Sequence, residues 1–336
     1  MNRIYVQTND AERNEVIAFD RSDDGRLQRL GRYETGGRGT GKPHLASQSS
    51  VALSDDGSHL LVTNTGSDEL SVFAVEPDGL RLEATVASGG STPTSVAVHG
   101  DIAYVLNNGS PNISGFQLDG QGPTPIAGST RALGDGADPA QVSFSPDGRT
   151  LVVTERGTNA ISSFAIGGDG LAEGPTTIAS SGATPYGFDF ADGAVIVTEA
   201  FGGTEGKAAA SSYAVSGGRL APVSESVGDT RSEVCWAAAT RDGRFVYVTN
   251  FGDGTISSYT VGEGGRIELL EAVAATTRLG EAGIRDEAIT GDGRFLYAID
   301  ADAQRVFGWT IGGDGKLEPV GEFEGVPVTV AGLAAS

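Results

Sequence analysis

The sequence contains very few residues of three chemically versatile types. It has one cysteine, three histidines and three lysines in 336 residues. A single cysteine excludes a disulfide framework, and no Cys/His cluster has the spacing of a zinc site. No apolar run approaches the length of a membrane span, and neither a basic n-region nor an apolar h-region precedes the first strand pattern at Ile4. We therefore expect a cytoplasmic protein that has no membrane partner.

Positive charge is also scarce, because 44 acidic residues outnumber 23 basic ones and leave a formal net charge of −21. A phosphate backbone selects basic surfaces, so nucleic acid is not an expected partner. The acidic surface indicates solubility in a salty or GC-rich organism. Steering of a cationic ligand is the alternative interpretation.

Helical periodicity is absent, since the apolar residues run together or alternate with a period of two, which is typical of strands. One phrase returns along the chain, and its clearest copies are VALSDDGSHLLVTN, VSFSPDGRTLVVTE, AAATRDGRFVYVTN and EAITGDGRFLYAID. Self-similarity at roughly 40 to 50 residues indicates stacked or radial units of one supersecondary type. Seven units of four short strands predict an all-β, seven-bladed β-propeller with antiparallel blades.

Blade four shows the pattern best. Its strands are expected at Gln141–Ser145, Leu151–Glu155, Ala160–Ile166 and Leu171–Ala179. Five other blades are expected at 51–90, 95–134, 187–230, 236–280 and 287–327. Blade one has strands at Ile4–Thr8, Glu15–Asp20 and Leu27–Tyr33 but lacks an innermost strand, whereas the tail Val328–Ala335 is left over. We expect this tail to pair inside blade one and close residues 1–336 into one domain, because closure removes exposed sheet edges.

The loops of such a ring fall on two faces. Short Asp-Gly and Gly-Gly turns join the first strand to the second and the third to the fourth, and they share one face. The second-to-third loops and the crossovers between blades share the other face, which we call the crossover face. Because binding groups usually lie on loops held by a rigid frame, we expect a site at the channel mouth on the crossover face.

A polar residue recurs where the second strand of a blade ends. Seven residues after the turn glycine lie Asn64, Asn107, Glu155, Asn250 and Asp300, and six residues after it lies Glu199. A structural role at the strand end is one interpretation of these residues. The other interpretation makes Glu199 and Glu155 catalytic acid/base groups and makes Asn64 and Asn250 substrate-binding groups.

The crossovers supply further candidates. An arginine fork suits a carboxylate, so Arg285 is a candidate anion clamp, with a salt bridge to Asp286 or Glu287 as the alternative. Arg156 is a second candidate for binding, unless it pairs with Glu155 at the surface. The remaining substrate-binding candidates are Gln141, Asp138, Tyr186 and Trp236. Among the histidines, only His44 lies on the crossover face, where it is a candidate proton-transfer group.

Several phrases of the sequence resemble those of a known family. The phrases AQVSFSPDGRTLVVTERGTNAISSFAI, ATPYGFDF, VIVTEAFGG and VCWAAATRDGRFVYVTNFGDGTISSYTV resemble the bacterial lactonase-family propellers. That family is similar to propeller-type 6-phosphogluconolactonase and to fungal 3-carboxy-cis,cis-muconate lactonizing enzyme. The resemblance implies a seven-bladed propeller that acts on a lactone ring without an obligatory metal. In the muconate branch the catalytic groups are His, Glu and Arg, and Glu199 and His44 are the candidates here.

Three functions follow from these observations. The first is a lactone hydrolase in which Glu199 or Glu155 activates water, and in which Arg285 or Arg156 binds an anionic group or the developing oxyanion. The second is a lactonizing cycloisomerase or lyase that uses the same groups without net water. The third is a non-catalytic propeller that binds a peptide or a metabolite. We expect a small-molecule substrate, no cofactor, and a monomer or weak oligomer, with a divalent cation at the mouth as an alternative.

Overall fold

The protein consists of seven antiparallel β-sheets arranged as a ring. The computed structural model describes residues 2–43, 45–119 and 122–336. Within these ranges the first strand of each sheet contacts the first strand of the next sheet all the way around. The prediction of a seven-bladed propeller is confirmed.

Blades two to seven each have their strands in chain order from the channel outward. Blade two has β4 (Val51–Leu53), β5 (His59–Asn64), β6 (Glu69–Glu76) and β7 (Gly79–Ala87). Blade three has β8 (Pro93–His99), β9 (Ile102–Asn107), β10 (Asn112–Asp119) and a divided outer strand, β11 (Gly122–Pro125) and β12 (Arg131–Ala132). Blade four has β13 (Pro139–Phe144), β14 (Thr150–Glu155), β15 (Ala160–Ile166) and β16 (Ala172–Ala179).

The remaining blades follow the same order. Blade five has β17 (Pro185–Ala191), β18 (Ala194–Glu199), β19 (Ala209–Ser216) and β20 (Arg219–Gly228). Blade six has β21 (Val234–Ala239), β22 (Phe245–Asn250), β23 (Thr255–Gly262) and β24 (Arg266–Thr276). Blade seven has β25 (Ile284–Ile289), β26 (Phe295–Asp300), β27 (Arg305–Ile311) and β28 (Leu317–Glu324). Single-turn 3-10 helices occur at Phe201–Gly203 and Glu263–Gly265, and no helix of the described ranges has the length and apolar character needed to cross a bilayer.

Blade one closes the ring with the C-terminal tail. Its inner strand is β29 (Ala331–Ala335), followed outward by β1 (Arg3–Gln7), β2 (Glu15–Arg21) and β3 (Leu27–Glu34). The register pairs Ile4 with Ala335 and Gln7 with Ala331. The predicted closure is confirmed, and β29 covers the inner edge of β1.

Side chains between neighbouring blades hold the ring together. Tyr104, Tyr247 and Tyr297 occupy the same position on the second strands of blades three, six and seven, and all are fully buried. Their hydroxyl groups donate to carbonyl oxygens in the outer turn of the next blade, at Gly170 (2.8 Å), Gly315 (2.8 Å) and Gly25 (2.5 Å). The apolar ring of tyrosine therefore fills the space between blades while its hydroxyl group is still satisfied.

The recurring Asp-Gly phrase forms the turns of the face opposite the crossover face. In blade two the Asp56 carboxylate accepts hydrogen bonds from the Ser54 hydroxyl (2.7 Å) and the Ser58 amide (2.9 Å). These bonds lower the pKa of Asp56 to about 2. Gly57 supplies the left-handed backbone of the turn at φ +69°. The aspartates that gave the repeat its signature are thus local turn formers.

The inner strands begin slightly earlier than the sequence predicts. β13 starts at Pro139 instead of Gln141, and β8 starts at Pro93 instead of residue 95. Proline cannot donate a ladder hydrogen bond, but the first residue of a strand tolerates it. In both strands a bulge follows the proline, so the pairing continues after one extra residue.

Candidate functional site

A β-bulge opens the inner strand of every blade from three to seven. The bulged stretches lie between Pro93/Ser95, Pro139/Gln141, Pro185/Phe188, Val234/Trp236 and Ile284/Glu287. Bulges turn side chains away from the regular alternation of a strand. The bulged residues of blades four, five and six, Ala140, Tyr186 and Cys235, pack in one buried cluster with Trp236. The bulges therefore bring residues distant in sequence together at the channel mouth on the crossover face.

A segment of the long crossover between blades one and two forms the floor of this mouth. The Trp236 indole Nε1 donates to the Ser47 carbonyl oxygen (2.9 Å). Gln48 Nε2 donates to the Ala237 carbonyl oxygen (2.7 Å), and Gln48 Oε1 accepts from the Ala237 amide (3.0 Å). Residues 45–48 thus extend from blade two to blade six and cross the channel.

Gly187 makes room for that segment. In blade four the Gln141 side chain reaches the next blade, accepting from the Phe188 amide (2.6 Å) and donating to its carbonyl oxygen (3.0 Å). Blade five has Gly187 in the corresponding part of the strand, and Gln48 makes the equivalent pair of bonds to blade six. A Cβ atom on Gly187 would overlap Gln48 Oε1 and lie 2.5 Å from the Cys235 carbonyl oxygen.

Arg156 and Tyr186 form one wall of the mouth. Arg156 Nη2 pairs with Asp138 Oδ1 at 2.7 Å, and the guanidinium carbon lies 4.9 Å from the centre of the Tyr186 ring. The Tyr186 ring lies 5.7 Å from the Trp236 ring at an interplanar angle of 60°. Burial raises the pKa of the Tyr186 hydroxyl well above its ordinary value. The wall combines an apolar aromatic surface with one paired cation.

Arg285 faces this wall from blade seven. Its side chain is buried, with 3% of the residue exposed, and its guanidinium carbon lies 5.4 Å from the centre of the Phe251 ring. Arg285 Nε and Nη1 have no hydrogen-bond partner among the described residues. Burial lowers the pKa of Arg285, while the carboxylates of Asp302 and Asp286 oppose that shift. Since a buried, unpaired guanidinium is unfavourable, this group is suited to receive an anion.

The alternative salt bridges that the sequence suggested for the two arginines do not form. Arg285 makes no ion pair within the described part of the chain, and Arg156 pairs with Asp138 instead of Glu155. Burial raises the pKa of the Cys235 thiol, and the two guanidinium groups lower it by a smaller amount. The mouth therefore brings Arg156, Arg285, Tyr186 and Trp236 together, and their roles in substrate binding stay predictions.

Glu199 and Glu155 lie elsewhere, between neighbouring blades. The Glu199 carboxylate accepts three hydrogen bonds, from the Gly182 amide (2.7 Å), the Ser211 hydroxyl (2.5 Å) and the Ser226 hydroxyl (2.7 Å). Glu155 accepts from the hydroxyl groups of Ser162 (2.5 Å) and Thr158 (2.8 Å). Both residues are buried, at 0% and 2% exposure. Their roles as catalytic acid/base groups stay predictions, and their partners in this structure lie in their own blade or in the crossover that enters it.

The asparagines of the same register have similar surroundings. Asn64 donates to Ser71 (2.7 Å) and accepts from Thr35 (2.7 Å), and Asn250 donates to Ser257 (2.8 Å). In both, the serine lies seven residues after the asparagine. We call this repeated arrangement the interblade polar network; its strand-end members are Asn64, Asn107, Glu155, Glu199, Asn250 and Asp300. Substrate binding by Asn64 and Asn250 stays a prediction.

The other predicted site residues fall into two groups. Asp138 lies at the rim of the mouth, where it holds Arg156 and accepts from the Asn108 side chain (3.0 Å). Gln141 is 3% exposed and joins blades four and five through its bonds to Phe188. His44, the candidate proton-transfer group, lies outside the described residues.

Two residues of the mouth escaped the sequence analysis. Phe251 follows Asn250 directly and carries Arg285 on its ring, and Glu233 precedes the inner strand of blade six. The Glu233 carboxylate has no hydrogen-bond or ion-pair partner among the described residues, and burial raises its pKa. The sequence offered one signal for Glu233, because this residue lies directly before Val234 in the crossover that also supplied Cys235 and Trp236.

Acidic groups continue down the channel below the mouth. Burial raises the pKa of Asp286 to about 7 and that of Asp189 to about 6. Asp286 accepts from the Gly332 amide (3.0 Å), and Asp189 accepts from the Ala239 amide (2.8 Å). Within the described ranges, no group of three or more His, Cys, Asp or Glu side chains is placed to hold a metal ion.

A cavity of about 860 Å³ opens at the opposite end of the channel. Its acidic residues are already bonded to protein groups, with Asp56 bound by Ser54 and Ser58, and Asp292 paired with Arg21 at 2.8 Å. Cavity volume alone therefore favours a ligand site at this end, whereas the charged groups that lack partners among the described residues favour a site on the crossover face. We place the candidate site on the crossover face because ligand binding depends on those groups.

Comparisons with known proteins agree with this architecture. The chain matches the family model for "Lactonase, 7-bladed beta-propeller" over residues 11–125, 120–202 and 197–329. A comparison with curated protein sequences gave no match.

Several solved structures share the fold. A functionally unknown protein from Desulfotomaculum acetoxidans is 16% identical with a TM-score of 0.76, and the alignment covers 99% of this chain and 98% of that one. A Bacteroides fragilis protein provisionally described as a 6-phosphogluconolactonase is 17% identical with a TM-score of 0.75, covering 100% and 98%. The periplasmic gluconolactonase of Pseudomonas aeruginosa is 16% identical with a TM-score of 0.73, covering 99% and 98%.

These identities are low, so the structural likeness shows the fold. The family model is the stronger finding, because its three matched segments together extend over nearly the whole chain. The protein belongs to the lactonase family of seven-bladed β-propellers.

Proposed function

We propose that the protein is a hydrolase that opens a small, anionic lactone ring at the channel mouth on the crossover face. Membership of the lactonase family supports the reaction class. Two of the structural neighbours bear names of lactone hydrolases, one of them provisionally. The observation that carries the proposal is the unpartnered, buried guanidinium of Arg285 at the mouth.

Arg285 would bind the anionic group of the substrate. An arginine that is only 3% exposed, with two nitrogen atoms lacking partners among the described residues, is costly in the free protein. A carboxylate or phosphate offers it the bidentate hydrogen bonds that the protein does not supply. The Phe251 ring beneath the guanidinium keeps the fork oriented.

Arg156 and the aromatic wall would hold the reacting ring. Tyr186, which is 5% exposed, is the aromatic group that a lactone ring can contact, and the fully buried Trp236 packs against it. Arg156 is held by Asp138, so its charge is partly neutralised but its position is fixed. A fixed cation beside the ester carbonyl stabilises the oxyanion that develops when water attacks.

A screen of purified protein against sugar, aryl and aliphatic lactones, with and without an acidic substituent, tests this function. We expect turnover of carboxylate- or phosphate-bearing lactones and much weaker turnover of neutral ones. Running each assay with and without chelator shows whether a divalent cation takes part. If no member of the panel is opened, the hydrolase proposal is wrong.

Oxygen-18 water separates hydrolysis from ring closure by isomerisation. A hydrolase places the label in the carboxyl group of the product, whereas a cycloisomerase or lyase leaves the product unlabelled. We expect label in the product, since water has access to the exposed rim of the mouth at Asp138 and Glu233.

A further inference from the structure

The backbone of Glu233 is bonded at the rim of the mouth to the residue whose ring supports Arg285. The Phe251 amide donates to the Glu233 carbonyl oxygen (3.0 Å), and the Cys235 thiol donates to the same oxygen (3.4 Å). These bonds fix the backbone of Glu233 between Phe251 and Cys235. Because Arg285 lies over the Phe251 ring, Glu233 and Arg285 flank the same residue.

Glu233 occupies a backbone position at which a glutamate is not expected. The residue directly before the inner strand has a left-handed backbone in blades three to six, at Thr92 (φ +56°), Asp138 (φ +42°), Thr184 (φ +58°) and Glu233 (φ +59°). Such a backbone is unfavourable for residues other than glycine, and a short polar side chain offsets the cost by local bonding. Thr184 Oγ1 accepts from the Gly202 amide (3.0 Å), and Asp138 holds Arg156.

Glu233 makes no such bond. Among the described residues no donor contacts its carboxylate, which packs beside Gly203 of the 3-10 helix. Local structure therefore does not explain a glutamate here, whereas a need for a free carboxylate does. Unsatisfied charged groups at the edge of a cleft are typical of sites that act on a ligand.

The electrostatic surroundings relate this carboxylate to Cys235 of the mouth. The pKa of the buried Cys235 thiol is raised by the charge of Glu233 and lowered by the charges of Arg156 and Arg285. All three charges are therefore close to the same sulfur atom. Partial burial raises the pKa of Glu233 itself, which makes the carboxylate a stronger base than one in open water.

We propose that Glu233 is the general base that activates water at this mouth, an inference that rests on the proposed lactone hydrolysis. The Glu233 carboxylate takes one proton from water while the water oxygen forms a bond to the lactone carbonyl carbon. The tetrahedral oxyanion is stabilised by Arg156. It collapses as the bond from the acyl carbon to the ring oxygen breaks. The ring oxygen recovers the proton from Glu233, so one water is consumed and a hydroxy acid is released.

Two variants of the full-length protein test this role, with a third as matched control. Glu233→Gln keeps the size of the side chain and removes its basicity, and we expect kcat to fall about 10²- to 10⁴-fold with little change in KM. Glu233→Gly suits the left-handed backbone, and added formate should restore part of its turnover. Glu205→Gln changes an exposed carboxylate two residues beyond the 3-10 helix and should keep full activity.

The outcomes separate the two proposals. An inactive wild-type protein across the lactone panel overturns the hydrolase function and this role with it. An active wild type with a Glu233→Gln variant of equal kcat overturns the role of Glu233 alone. Loss of turnover without formate rescue, together with a lowered melting temperature, makes Glu233 a structural residue and also overturns the role. Loss of turnover at an unchanged melting temperature, with the acid limb of the pH–rate profile abolished and formate rescue observed, supports it.

Discussion

The interblade polar network and the channel mouth are built from neighbouring residues of the same strands but differ in chemistry. In the network, Glu199 is surrounded by three hydrogen-bond donors, and each strand-end polar group contacts its own or the adjacent blade. At the mouth, Arg285 and Glu233 are charged and unpartnered among the described residues. A saturated carboxylate stabilises the ring, whereas an unsatisfied charge is available to a ligand.

The residues that stand out in the sequence also differ from those that are available to a ligand. Glu199 and Glu155 stand out in sequence because a carboxylate recurs at a fixed register. Their neighbours, Arg156 and Ala200, directly follow them and lie in or beside the mouth. Since successive residues of a strand point to opposite faces, one residue of each pair bonds within the polar network and the next lies toward the site.

The largest effect should follow removal of the unpaired cation. Arg285→Met is expected to lower kcat/KM for an anionic lactone about a thousandfold, because the fixed positive charge is lost. The melting temperature should stay the same or rise, since a buried unpaired charge is replaced by an apolar side chain. Lactone kinetics and thermal unfolding measure the two effects. If the variant kept its activity, the substrate's anionic group would have to bind somewhere other than Arg285.

Glu199→Gln should have the opposite pattern. The amide group presents a donor to hydroxyl groups that need an acceptor, so we expect a loss of about 3 kcal/mol in the free energy of unfolding. Turnover by the folded fraction should be retained. Urea unfolding and activity at low temperature check these expectations. Complete loss of turnover with unchanged stability would instead support the catalytic role that the sequence suggested for Glu199.

A smaller effect is expected for the glycine that accommodates the floor of the mouth. Gly187→Ala should destabilise the protein by about 2 kcal/mol, because the added Cβ overlaps Gln48 Oε1 and crowds the Cys235 carbonyl oxygen. Gly168→Ala is the control, since nothing lies within 4 Å of its Cβ position. If thermal unfolding gave Gly187→Ala and Gly168→Ala the same melting temperature, the assignment of residues 45–48 as the floor of the mouth would be wrong.

The smallest effect concerns a carboxylate that belongs to neither region. Both oxygens of Glu287 lack partners among the described residues, and burial raises its pKa well above the ordinary 4.5. The folded state therefore holds a proton that the unfolded state releases above pH 4.5, and stability falls as the pH rises from there. Glu287→Leu should add roughly 1 to 2 kcal/mol at pH 7 and almost nothing near pH 4.

Unfolding curves of wild type and Glu287→Leu between pH 4 and pH 8 measure this difference. The apolar replacement is reasonable because the aligned residues of other inner strands are apolar, at Val51, Val96, Val142 and Phe188. A gain in stability that did not depend on pH would show that Glu287 is ionised or solvated in the folded state.

Much of the architecture could be predicted from the sequence. The repeated Asp-Gly turn and the period-two strands located the blades, and the spare tail located the closure with β1. Arg285, Arg156, Tyr186 and Trp236 lie near one another because crossovers of a closed ring share one opening, and their roles in a site stay predictions. Glu233 and Phe251 were missed, since a charged residue in a loop has no pattern that marks it as unpartnered.

What the sequence by itself determined is the repeat, because turn chemistry and strand periodicity are local properties of neighbouring residues. It could not determine which polar groups would be satisfied. Gln48 bonds to Ala237 across 189 residues of sequence that only the folded ring brings together, and Glu199 bonds to Ser226 across the sheet of blade five. Whether a buried charge is a structural or a reactive group depends on its neighbours in space, and the tertiary structure decides those neighbours.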